Sequence, residues 1–153
     1  MDKNFLLASA QKLNQVSENA AAEYLKKEDQ LISKMNSLMI ERVDIESLVG
    51  KNNINMMKDN HSNHVRFIAS ILKNPNADVF VDTVLWVFRA YRSHGFVTNY
   101  WAAQLNTWIE VIKEVLTPES FIEVYPYYDW MQINIPLFVK LSDEKLESPN
   151  SLH

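Results

Sequence analysis

Residues 53–73 read NINMMKDNHSNHVRFIASILK, and the way the apolar residues fall within them decides the fold class. Met57, His61, His64, Ile68 and Ile71 are spaced 4, 3, 4, 3, which sets all five on one face of an α-helix. Asp59, Asn60, Ser62, Asn63 and Arg66 fall off that stripe and are turned elsewhere. Two imidazoles on a core-facing line are the feature of this chain that points beyond packing.

The same rhythm extends in both directions. Upstream, Leu6, Ala10, Leu13, Ser17, Ala20 and Tyr24 keep a 4, 3, 4, 3, 4 spacing, which predicts one amphipathic helix over 4–25. Leu31, Met35 and Leu38 carry a second stretch over 29–42, with Asp29 as a candidate cap, or the two stretches join as one bent helix. A short helix is expected from Asp44 to Val49. Downstream, Pro75 ends the histidine helix and Asn74 or Asn76 caps the next one. Phe80, Val84, Val87 and Tyr91 lie there beside a second row of Val81, Leu85 and Phe88, a wide buried face. Thr98 can cap a helix carrying Trp101, Leu105, Trp108, Ile112 and Val115. Thr117-Pro118 reads as an N-cap followed by a first-turn proline. Pro126 and Pro136 are expected to break or kink the last helical region. The two glycines, Gly50 and Gly95, each follow a periodic stretch and read as helix stops, not as a phosphate-binding loop. The expectation is an all-α fold: a single-domain helical bundle of about six helices over 1–142, globin-like at most in outline, with a polar tail over 143–153.

Composition narrows the role. The chain has 153 residues, a net charge of -4 and no cysteine. Absence of cysteine removes disulfides, thiolate nucleophiles and iron–sulfur ligation. Lys and Arg are scattered, so neither a nucleic-acid footprint nor a polybasic membrane patch is expected. The apolar run Phe5–Ala8 is shorter than the core of a signal peptide, and no segment approaches the ~20 apolar residues of a membrane span. A cytoplasmic protein is the expectation.

The candidate ligand or interface residues are His61, His64, Trp101, Trp108, Tyr125, Tyr128 and Trp130. The histidine pair has the spacing of two metal ligands, but no carboxylate lies nearby at a spacing to complete a set, so no metal is assigned. A single imidazole can also serve a haem iron, which keeps a tetrapyrrole as the alternative cofactor. Trp101 and Trp108 lie one heptad apart and suit either a core seam or a flat cofactor. The run Tyr125-Pro126-Tyr127-Tyr128-Asp129-Trp130 suits either packing or an interface. No catalytic motif is present: neither Gly-x-Ser-x-Gly nor His-Glu-x-x-His occurs, and no catalytic residue is assigned.

Three segments carry a family resemblance: His64-Val65-Arg66-Phe67-Ile68, Val79-Phe80-Val81-Asp82-Thr83-Val84-Leu85-Trp86 and Arg92-Ser93-His94-Gly95-Phe96. Together, over His61 to Leu116, they resemble the helical domain that precedes a cobalamin-binding domain in bacterial sensory and regulatory proteins. Thr83 stands where that pattern commonly has tyrosine, and the chain carries no Asp-x-His-x-x-Gly signature. A looser similarity is to non-haem globin-like sensor domains. The resemblance implies a stand-alone signalling or sensor module. Such a module acts through a protein partner, through self-association as a dimer, or through a hydrophobic small molecule. It is not expected to be an enzyme.

Overall fold

In a computed structural model, described over residues 2–147, the chain is all-α. The helices are α1 (Lys3–Gln11), α2 (Glu18–Lys26), α3 (Glu28–Ile40), α4 (Ile45–Val49), α5 (Ile54–Lys73), α6 (Ala77–Ser93), α7 (Asn99–Val115), α8 (Pro118–Ile133) and α9 (Ile135–Glu147). That is nine among the described residues, where the sequence predicts about six. Part of the excess arises because apolar rhythm carries across a break that tertiary hydrogen bonds impose.

The clearest case is the stretch 4–25, which is two helices and not one. The Asn14 carbonyl accepts from the Tyr127 hydroxyl at 2.7 Å. The Ser17 N–H and hydroxyl both donate to the Glu123 carboxylate, at 2.7 and 2.8 Å. Ser17, counted above as part of the stripe, is the N-cap of α2, and its hydroxyl accepts from the Ala20 N–H. Backbone groups that a continuous helix would satisfy internally are satisfied by α8 instead. The bond is reciprocated. Glu23 of α2 accepts from the Thr117 N–H at 2.7 Å, the Thr117 hydroxyl at 2.9 Å and the Ser120 hydroxyl at 3.1 Å. Each of two antiparallel helices thus places a carboxylate on the other's N-terminus, where the helix dipole favours negative charge.

The remaining boundaries follow local chemistry. Asn76 caps α6 through Val79, and Thr117 caps α8 through Ser120. Asp29 lies in the first turn of α3, which Lys27 precedes, and the Asp44 carboxylate binds Arg42 and does not cap α4. Thr98 precedes α7 without a side-chain cap. Gly50 and Gly95 have φ of 95° and 101°. A Cβ on Gly50 would also lie 3.1 Å from the Asn53 amide nitrogen, which bridges the Val49 and His94 carbonyls and ties the α4–α5 corner to the α6–α7 corner. Pro126 lies inside α8 without ending it. Its missing N–H falls opposite Ile122, which is 70% exposed, so water can replace the lost donor. Pro136 sits in the first turn of α9, where a proline is tolerated.

α5 is covered by α2 and α3, and α7 by α3 and α8. α6 rests mainly on α1 and α9. The tail boundary expected after 142 falls within α9: Ser142 is buried, accepts from Arg92 at 2.9 Å, and Asp143 pairs with the same guanidinium. Residues 148–153, expected to fray, lie outside the described residues. Leu6, Ala10, Ala20 and Tyr24 are all buried by this chain's own core, so the N-terminal stripe needs no second copy to cover it. Among the described residues no helix is long and apolar enough to cross a membrane.

The reciprocal capping gives a first prediction. Hydrogen bonds to a charged group contribute about 1.5–3 kcal/mol, so Glu23→Ala should destabilise by that order in urea unfolding. Burial raises the Glu23 pKa, but the bonds from Thr117 and Ser120, with Lys27 nearby, outweigh it and hold the carboxyl below its ordinary range. A lowered acid pKa contributes stability that is present above the unfolded value of about 4.3 and lost as pH falls through the folded one. The gap between wild type and Glu23→Ala should therefore close on acidification below about pH 4.

Candidate functional site

The histidine stripe enters the core as its spacing predicts. Met57, His61, Ile68 and Ile71 are buried, and His64 keeps some accessible surface. His61 is held by α3: its Nδ1 lies 2.6 Å from Asn36 Oδ1, which accepts. His64 is held by α8: its Nε2 lies 2.9 Å from the Tyr128 hydroxyl, which in turn lies 2.6 Å from the hydroxyl of Tyr24 on α2. Trp108 of α7 completes the cluster. It stacks on His64 with ring centres 4.6 Å apart and meets His61 edge-on at 5.8 Å. Four candidates, His61, His64, Trp108 and Tyr128, are thus brought together.

Burial keeps both imidazoles neutral. Loss of solvation pushes each pKa down to about 3, and for His64 the neighbouring His61 adds to the effect. Burial likewise raises the Tyr128 and Tyr24 hydroxyls above their ordinary value, so the chain of hydroxyls stays protonated. Among the described residues no group of three or more His, Asp or Glu side chains converges to hold a metal ion. His61 Nε2 and the indole nitrogens of Trp101 and Trp108 are enclosed without a partner.

The other three candidates separate. Trp101 stacks on Phe88 at 4.3 Å, about two turns from Trp108 along α7, and does not share a stack with it. Trp130 is core: it packs on Phe80 and Phe138, and its indole N–H donates to Ser9 at 2.8 Å. Tyr125 lies against Phe121 with its hydroxyl toward Asp129, away from the histidines.

A cavity of about 210 Å³ opens beside the cluster where α6 stands off from α5 and α7. α5 contributes Asn60, Asn63, His64 and Phe67; α6 contributes Val84, Val87 and Phe88 among others; α7 contributes Trp101, Gln104 and Leu105. Trp86, 57% exposed, stands at its rim. Most of the wall is apolar; its polar side chains include Thr83 and Tyr91 on α6 and Asn60, Asn63, His64 and Gln104 on the α5–α7 side. There the Asn60 carbonyl oxygen accepts from the Tyr100 hydroxyl at 2.8 Å and from the Gln104 amide at 2.5 Å. Asn60, which lies off the histidine stripe, is buried as well. An asparagine can enter a core once its amide is paired. Tyr24, Tyr100, Gln104 and Trp86 are not among the candidate residues read from the sequence, where Tyr24 belongs to the N-terminal stripe and Trp86 to a resemblance segment. A signal for part of the wall exists: Asn60, Asn63, His64 and Phe67 recur at helical spacing as a row adjoining the stripe.

Two predictions follow. Trp108 is fully buried, so Trp108→Ala should cost about 3–5 kcal/mol in denaturant unfolding. The lowered histidine pKa values mean that the unfolded chain binds more protons below about 6.5, so stability rises with pH. Going from pH 7 to pH 5 should cost about 2 kcal/mol for each histidine. The double variant His61→Gln, His64→Gln should flatten that slope, measured as unfolding free energy against pH.

No family model matches this chain, and no curated protein and no solved structure matches it either.

Proposed function

We propose that this protein is a sensory or regulatory module that binds a small hydrophobic molecule in the cavity between α5, α6 and α7, without turning it over. The observation that carries this is the cavity itself: a mostly apolar space of about 210 Å³ into which a few polar side chains, His64 and Gln104 among them, are set. An apolar cavity of about 150 Å³ is enough to take up benzene, so a one- or two-ring ligand fits this one. The resemblance of residues 61–116 to helical sensor domains agrees with a role in signalling. Occupancy would be passed to a partner through α6, whose outer face carries Trp86 at the cavity rim and the 47% exposed Val79.

The geometry favours this over a tetrapyrrole. Drug-sized ligands occupy roughly 300–1,000 Å³, and a tetrapyrrole belongs in that range, above the space present. His64 Nε2 is also already engaged by Tyr128.

Toluene is a suitable first probe. It should bind the purified protein, quench or shift tryptophan fluorescence through Trp101, and raise the thermal midpoint. Val84→Phe, which fills the cavity from α6, should abolish both effects while the protein stays folded. A purified protein with no visible absorption band agrees with this reading. Toluene binding that survives Val84→Phe, or no binding at all, would show that the cavity is not a ligand site.

A further inference from the structure

The polar side of the cavity has its hydrogen-bond sense set from outside, and this narrows the class of ligand; the inference rests on the ligand-site reading above. The hydroxyls of Tyr24 and Tyr128 and the Nε2 of His64 form one chain, with steps of 2.6 and 2.9 Å. Each hydroxyl has one hydrogen to place. Tyr24 is fully buried, and among the described residues its hydroxyl has no partner but Tyr128.

The chain can run two ways. If His64 Nε2 carried the hydrogen and donated to Tyr128, Tyr128 would donate to Tyr24. The Tyr24 hydrogen would then be enclosed with nothing to receive it, which is costly in a dry interior. In the opposite sense Tyr24 donates to Tyr128, Tyr128 donates to Nε2, and every hydrogen is used. Nε2 is then an acceptor, and in a neutral imidazole the remaining hydrogen sits on Nδ1. Burial keeps the ring neutral. Nδ1 has no protein partner among the described residues, and it is not one of the enclosed unpartnered atoms. His64 lines the cavity, and Nδ1 is the ring nitrogen left free to serve a ligand there.

We propose that the cavity selects a small, neutral, ring-bearing molecule with a hydrogen-bond acceptor such as a carbonyl oxygen, which receives the Nδ1–H of His64, and that Tyr24 and Tyr128 hold His64 in that donor tautomer. Neutrality follows from the wall: no Lys or Arg lines the cavity, so a carboxylate would be buried without a counter-ion. The preference for a ring follows from the stacked Phe88–Trp101 pair that forms part of the wall. Tyr24 and Tyr128 are positioning residues here.

Acetophenone and α-methylstyrene have nearly the same shape, and a carbonyl oxygen in one replaces a methylene in the other. Acetophenone should bind the wild type about 3- to 10-fold tighter, the worth of one net hydrogen bond. Benzoate should bind more weakly than either. In His64→Phe the two probes should bind alike, and Tyr128→Phe should narrow the preference. A measurement on the unaltered protein stands beside the variants: two-bond ¹H–¹⁵N spectra of histidine should show His64 protonated at Nδ1 and bare at Nε2. Equal binding of the two probes, both blocked by Val84→Phe, would overturn this inference and leave the ligand site standing. Absence of binding by both would overturn the two together. Tightest binding by benzoate, or a hydrogen found on Nε2, would overturn the inference alone.

Discussion

A polar group taken out of water needs a partner, and α5 carries several such groups into the core. Asn60 and His61 are buried, and His64 is nearly so. Left unpartnered, each would oppose folding by about 1–3 kcal/mol, a sizeable part of the roughly 5–15 kcal/mol net stability of a domain. The neighbouring helices are arranged to supply those partners: Asn36 from α3, Tyr128 from α8 backed by Tyr24 from α2, and Tyr100 with Gln104 from α7. Four helices are therefore placed around α5 by directional bonds as well as by apolar contact. Apolar packing alone tolerates rotation and sliding of a helix; a hydrogen bond of defined length does not.

The same economy appears at the helix ends. α2 and α8 exchange carboxylates, Glu23 onto the Thr117 end and Glu123 onto the Ser17 end. This exchange fixes the antiparallel register of two helices that hold Tyr24 and Tyr128, and so the alignment of the hydroxyl chain that reaches His64. The break between α1 and α2 is part of the same device, because Ser17 must leave the helix to serve as its cap.

Against this tightly bonded half stands a looser one. α6 is seated mainly on α1 and α9, and between it and the α5–α7 side a cavity remains. The two halves differ in what they can do. The bonded half holds a neutral imidazole in one orientation, and the apolar half leaves space against it. A polar group held beside a mostly apolar pocket is the arrangement on which the proposed ligand site rests.

The helical class was legible in the residues themselves, because side-chain spacing along a helix is a local property. Met57, His61, Ile68 and Ile71 face inward as their intervals require. Pro75, Gly95 and Thr117-Pro118 mark ends because their backbone constraints act within a few residues. The clustering of His61, His64 and Trp108 was legible only as two separate stripes. What the intervals could not tell was where a stripe is interrupted while its rhythm continues, as at Ser17, or that Asn60 would be drawn inside. Both depend on partners forty or more residues away, Glu123 for one and Tyr100 and Gln104 for the other. The separation of Trp101 from Trp108, the departure of Tyr125 and Trp130 from the cluster, and the cavity itself depend on which helices meet and which stand apart. Local spacing chooses the face that a helix buries; only the assembled bundle chooses what that face touches, because the bonds that choose it join residues distant along the chain.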